Sequence, residues 1–68
     1  MTPDTFGSRV RAARLAQQLS VKQLAERIGV SRQLLDYWER GRSIPAVTRA
    51  WLLADALQVP LDTLRPTS

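Results

Sequence analysis

An all-α fold, a small bundle of four to five helices, is expected of this chain. Apolar residues recur at three- and four-residue intervals along most of its length, and no stretch sustains the alternation of a half-buried strand. Helix-start and helix-stop residues follow one another at short intervals. Finally, 68 residues with 44% apolar and 24% charged side chains can enclose one thin core. Residues 1–68 therefore read as a single domain with no linker, internal repeat or low-complexity segment.

The first helix is read over about residues 4 to 18, where Phe6, Val10 and Ala13 share one face. Pro3 suits its first turn and Asp4 its positive end. Ser20-Val21-Lys22-Gln23 fits the capping-box pattern and starts a second, short helix whose inner stripe is Leu24, Ala25 and Ile28. Gly29 ends it, because a tight reversal needs a residue free to take positive φ. Ser31 caps a third helix that runs to about Arg40 and stops at Gly41. Ile44-Pro45 opens a fourth, with Val47, Ala50, Leu53, Ala54 and Leu57 as its core stripe, and Pro60 stops that one. Leu61 and Leu64 indicate a last short turn before the polar tail.

Composition narrows the function. The chain has no Cys and no His, which removes thiol nucleophiles, zinc-thiolate sites, the commonest general base and the commonest metal ligand. No enzyme activity, metal or cofactor is expected. No apolar run approaches the roughly 20 residues of a membrane span, and no basic-then-apolar leader opens the chain. A cytoplasmic, nucleoid-associated location with no membrane partner is the expectation.

Charge supplies the positive clue. The net charge is +4, nine of the ten basic residues are Arg, and the excess is uneven. Between Arg9 and Arg42 eight basic side chains face only Glu26, Asp36 and Glu39, whereas residues 43–68 balance. A basic excess confined to one part of a small domain is the footprint of a polyanionic partner.

Residues 20–41 carry the chemistry: a capped helix, a short Gly-containing turn and a second capped helix. That is the layout of a helix-turn-helix, whose second helix enters the major groove of double-stranded DNA. At about 100° per residue, Leu34, Leu35 and Trp38 fall on one half of the third helix, with Arg32, Gln33, Asp36, Tyr37 and Arg40 on the other. The first half must be core. On the second, Arg32 can hold guanine O6 and N7, Gln33 adenine N6 and N7, and Tyr37 a thymine methyl or a phosphate. Capping also turns backbone N–H groups near Ser31 towards where a phosphate would sit. Asp36 is read as orienting Arg32 or Arg40, Gln23 as a cap, and Arg9 and Arg11 as solvated surface.

In Leu19-Ser20, Leu24-Ala25-Glu26, Gly29-Val30-Ser31-Arg32-Gln33, Trp38-Glu39-Arg40-Gly41, Pro45, Leu53-Ala54, Leu57, Val59 and Leu64 the chain resembles the Cro-like, phage-repressor-type helix-turn-helix family. The resemblance implies a five-helix DNA-binding domain, usually a dimeric regulator on a short near-palindrome. It implies base-facing roles for Ser31, Arg32, Gln33 and Tyr37, phosphate contacts at Arg40 and Arg42, and a salt bridge between Arg14 and Glu39. Two positions depart from the family: Val21 replaces the usual phosphate-binding Gln, with Lys22 as a neighbouring substitute, and Gln58 replaces the Gly that follows the fourth helix.

Trp51 and Leu52 lie outside the core stripe of the fourth helix, which suggests a partner surface, and the resemblance adds Leu61 and Thr63 in the last turn. A homodimer is expected there. The expected function is a sequence-specific, double-stranded DNA-binding repressor. Its rivals are an antitoxin or other protein-interaction module with a protein partner at the fourth helix, and the DNA-binding head of a longer regulator.

Overall fold

The computed structural model describes residues 5–65, which form five helices and no strands: α1 (Phe6–Ala16), α2 (Val21–Ile28), α3 (Arg32–Glu39), α4 (Val47–Leu57) and α5 (Leu61–Leu64). α1 is shorter at both ends than the apolar spacing indicated. Its N-cap is Thr5, whose hydroxyl accepts from the Ser8 N–H at 3.1 Å while the Ser8 hydroxyl accepts from the Thr5 N–H at 3.0 Å. Pro3 and Asp4, assigned above to the first turn, lie outside the described residues. The capping box of α2 and the Ser31 cap of α3 are where the local sequence puts them.

α1 to α4 all end in the same way. A residue with positive φ follows the last turn, and the N–H after it closes back on a carbonyl five residues earlier: Leu19 on Arg14, Val30 on Ala25, Arg42 on Tyr37 and Val59 on Ala54. The positive-φ residues are Gly29 (φ 75°) and Gly41 (φ 77°), but also Gln18 (φ 59°) and Gln58 (φ 58°). The two Gln positions hold a strained backbone so that α1 and α4 can stop within one turn.

Every helix sends at least one side chain into a single core, built mainly from Val10, Leu24, Leu35, Trp38, Leu53, Leu57 and Leu64, with Leu19 between α1 and α2. Burying each large side chain contributes about 1.5–3 kcal/mol, the dominant stabilising term in so short a chain. α1 crosses α3 at close range. A Cβ on Gly7 would run into the Trp38 carbonyl and lie 2.7 Å from the Glu39 carbonyl oxygen.

α4 corrects one assignment. Leu53, Ala54 and Leu57 are buried, but Val47 is 71% exposed. At about 100° per residue it lies roughly 70° off the mean direction of those three, at the edge of the buried stripe. Trp51 is also outside, at 59% exposure. Leu61, assigned above to a partner surface, is half-buried against the core. Among the described residues no helix is long and apolar enough to cross a membrane.

Candidate nucleic-acid interface

α3 is held on its apolar side and open on the other. Leu35 and Trp38 are buried in the core and Leu34 packs against it. Arg32, Gln33, Tyr37 and Arg40 are exposed on the opposite side, and Asp36 is half-buried between them. The polar half is partly pre-arranged. Gln33 Nε2 donates to Tyr37 Oη at 3.1 Å, which orients the amide and leaves its carbonyl and second N–H free. Arg40 Nε lies 3.0 Å from Asp36 Oδ2, so Asp36 orients Arg40 rather than Arg32.

The side chains of Lys22, Arg32 and Arg42 make no hydrogen bond or ion pair among the described residues. A groove lined by Ser20, Val21, Lys22, Arg32, Gln33 and Asp36 runs between the start of α2 and the start of α3. Two cations and two capped helix starts thus flank one depression, a favourable setting for an anionic backbone. Ser31 is occupied as the cap of α3, its hydroxyl accepting from the Leu34 N–H at 3.1 Å. Gln23 is likewise occupied as a cap, its Oε1 accepting from the Ser20 N–H at 2.8 Å. Val21, which stands where the family commonly has Gln, packs against the core.

Arg14 and Glu39 position the far end of α3. Arg14 Nε donates to Glu39 Oε2 at 2.8 Å and Nη2 to Oε1 at 3.0 Å, while Nη1 donates to the Leu19 carbonyl at 2.8 Å. Both side chains are more than nine-tenths buried. Among the described residues no buried side-chain nitrogen or oxygen lacks a partner. Arg9, read above as solvated surface, instead donates to the Thr63 carbonyl at 3.2 Å and ties α1 to α5. Thr5 and Gly7 carry no clear signal in the sequence. The Thr5–Ser8 cap uses Ser where the common pattern has Glu or Gln, and nothing local marks a helix crossing.

The chain belongs to the helix-turn-helix family of Cro-like, phage-repressor-type domains, whose profile matches residues 10–64. Its fold is the helix-turn-helix DNA-binding fold of transcriptional regulators. It is 46% identical over 56 residues to an uncharacterized transcriptional regulator in the ATPase CF(0) region of Rhodospirillum rubrum. That match takes in 82% of this chain and 52% of the relative, so the chain spans about half the length of the curated protein it matches. The restriction-modification controller protein C.AhdI of Aeromonas hydrophila has a similar structure, with TM-score 0.83 and 34% identity over 87% of this chain and 89% of that one. The P22 c2 repressor, solved in complex with a synthetic operator, aligns with TM-score 0.86 and 30% identity over 93% and 96% of the two chains.

Proposed function

We propose that this chain is a sequence-specific regulator that binds double-stranded DNA, acting as a dimeric repressor on a near-palindromic operator. The observation that carries this reading is α3 itself: an amphipathic helix clamped on one side by Leu35, Trp38 and the buried Arg14–Glu39 pair, with Arg32, Gln33 and Tyr37 presented on the other. Arg32 reads guanine, the oriented amide of Gln33 reads adenine through its free N–H and carbonyl, and Tyr37 adds a methyl or phosphate contact. Ser31 keeps the start of the helix, with its backbone N–H groups, close to the duplex. Lys22, Arg40 and Arg42 hold the phosphates. The P22 c2 repressor, similar over nearly its whole length and bound to an operator, supports this reading. No catalytic step, metal or cofactor enters it, and its place of action is the cytoplasm, at the nucleoid.

The test is selection of bound duplexes from a random DNA library at near-physiological salt, followed by sequencing. An enriched near-palindrome with half-sites one helical turn or a multiple apart is expected. Salt-sensitive binding with no enriched sequence would overturn it. The exposed Trp51 and Leu52 favour a second reading, a protein-interaction module such as an antitoxin. A heteromeric partner bound without any DNA preference would establish that one instead.

A further inference from the structure

Asp36 is an awkward charge for a surface that meets DNA. It is the one carboxylate on the polar half of α3, because Glu39, the other acid of that helix, is buried on Arg14. Asp36 lines the groove that holds Val21, Lys22, Arg32 and Gln33. It also lines a second recess, with Arg11, Arg14, Val21, Glu39 and Arg40. It therefore stands where the cationic track between α2 and α3 meets α1, and it repels a phosphate passing there. Local stability does not account for it. An i,i+4 pair whose side chains are 64% and 43% exposed stabilises a helix only slightly. Asp36 also lies in the last turn of α3, where the helix dipole disfavours a negative charge.

Its contact with Arg40 is directional. Arg40 Nε lies 3.2 Å from Asp36 Oδ1 and 3.0 Å from Oδ2, so both carboxylate oxygens gather on one nitrogen. The two terminal nitrogens of Arg40 make no bond among the described residues. A guanidinium is rigid and planar, so holding Nε narrows the directions in which those nitrogens point.

We propose that Asp36 is a specificity-determining residue that touches no base: it restrains Arg40 so that the guanidinium meets a phosphate only when α3 is seated in the major groove. The inference rests on the DNA reading above and on the phosphate role that reading gives Arg40. With Arg32 and Gln33 on their base pairs, the position of α3 against the backbone is fixed. The preset terminal nitrogens then receive a phosphate without breaking the Asp36 contact. On random DNA the helix has no such register. A free Arg40 would reach whichever phosphate lay near, and non-specific binding draws its strength from contacts of that kind. A tethered Arg40 must first give up Asp36. Discrimination thus rises by weakening the competitor rather than by strengthening the operator contact.

Anisotropy titrations of Asp36→Asn on the duplex enriched by library selection and on a random duplex, at several salt concentrations, test this. The variant is expected to bind the random duplex about three- to tenfold more tightly. Its slope of log K against log salt there should be steeper by about one, because Arg40 is released to a phosphate. On the selected duplex the gain is expected to stay below about twofold, since lost repulsion is offset by loss of the preset fork. Asp36→Glu keeps the charge within reach of Arg40 one turn on and is expected to keep the wild-type affinity ratio and slope. In an Arg40→Gln chain, adding Asp36→Asn is expected to change the random-duplex affinity much less than it does in the wild type. A helix-stability role alone would move the melt and leave the salt slope where it was.

Equal gains on both duplexes, an unchanged slope, or a full random-duplex gain in the Arg40→Gln chain would each overturn the role given to Asp36. So would loss of preference at a single base pair, which would make Asp36 a base contact. Failure of the DNA reading looks different. Tighter and steeper random-duplex binding by Asp36→Asn, with no duplex enriched by the wild type, would retain the restraint on Arg40 and overturn sequence-specific binding. An enriched duplex with Asp36→Asn indistinguishable from the wild type would do the reverse.

Discussion

Arg14 grips Glu39 across the α1–α3 crossing with two parallel hydrogen bonds, 2.8 and 3.0 Å long, and spends its remaining terminal nitrogen on the Leu19 carbonyl. The pair therefore joins three parts of the chain: the last turn of α1, the last residue of α3 and the turn that leads into α2. A charge buried this deeply is tolerated only because its hydrogen-bonding groups are matched.

Removing one partner exposes that dependence. Glu39→Ala strands the Arg14 charge and is expected to cost about 3–5 kcal/mol, much of the stability of a domain this small. Arg14→Met/Glu39→Leu removes both charges and is expected to recover most of the loss. Urea unfolding followed by the buried Trp38 measures both variants. A double variant no more stable than Glu39→Ala would mean that the pair's role is packing rather than charge.

The same crossing depends on Gly7. Its Cβ position is filled by the carbonyls of Trp38 and Glu39, and backbone oxygens cannot swing aside as a flexible side chain can. Gly7→Ala is expected to cost at least the about 1–3 kcal/mol of an overpacked core site, despite the better helix propensity of Ala. A melt equal to or above that of the wild type would show that α1 can shift without loss.

Helix ends give a paired prediction. A Cβ added to Gly29, at φ 75°, would meet nothing within 4 Å, so Gly29→Ala encounters backbone strain alone. It is expected to cost about 1 kcal/mol and to lower Tm by roughly 4–8 °C. Gln58 already bears that strain at φ 58°. Gln58→Gly relieves it, less the greater entropy Gly loses on folding, and should raise Tm by a smaller amount. Scanning calorimetry on both decides; a lower Tm for Gln58→Gly would mean that its side chain makes an energetically important contact.

The contrast between these positions also explains what is legible in the sequence. α2 and α3 can be placed closely because Ser20–Gln23, Gly29, Ser31 and Gly41 act within a few residues of themselves. Gln58 stands out as a strained stop because a Gly is missing where the family has one. Gln18 has no such marker, so apolar spacing alone carries α1 two residues too far. Val47 is a three-residue step from Ala50, but it falls at the edge of the stripe that Leu53, Ala54 and Leu57 define, and spacing alone does not reveal where along that edge burial stops. Gly7 and Arg9 depend on α3 and α5, residues far along the chain, and nothing local records such a meeting. On α3 the division between apolar and polar halves is legible, whereas the Gln33–Tyr37 bond is not.

That bond makes the next prediction. Tyr37→Phe removes the oxygen that fixes the Gln33 amide while keeping the ring. If Gln33 reads adenine by two hydrogen bonds, freeing the amide should weaken discrimination at that base pair by part of the about 1–3 kcal/mol that such a contact provides. Tyr37→Phe should leave the melt unchanged, since Tyr37 is exposed. Competition between duplexes differing at single base pairs measures the effect. Equal losses at every position would reassign Tyr37 to the phosphates.

Arg32 and Arg42 separate reading from holding. Both are exposed and make no hydrogen bonds or ion pairs among the described residues, so substitution acts on the complex rather than on the fold. Arg32→Ala is expected to cost about 1–3 kcal/mol on the selected duplex and to relax preference at one base pair. Arg42→Ala is expected to weaken specific and random DNA alike and to reduce the slope of log K against log salt by about one. Titrations on both kinds of duplex at several salt concentrations distinguish the two patterns. If both variants lost affinity equally on specific and random DNA, Arg32 would be another phosphate contact, and the base-reading role would pass to Gln33 alone.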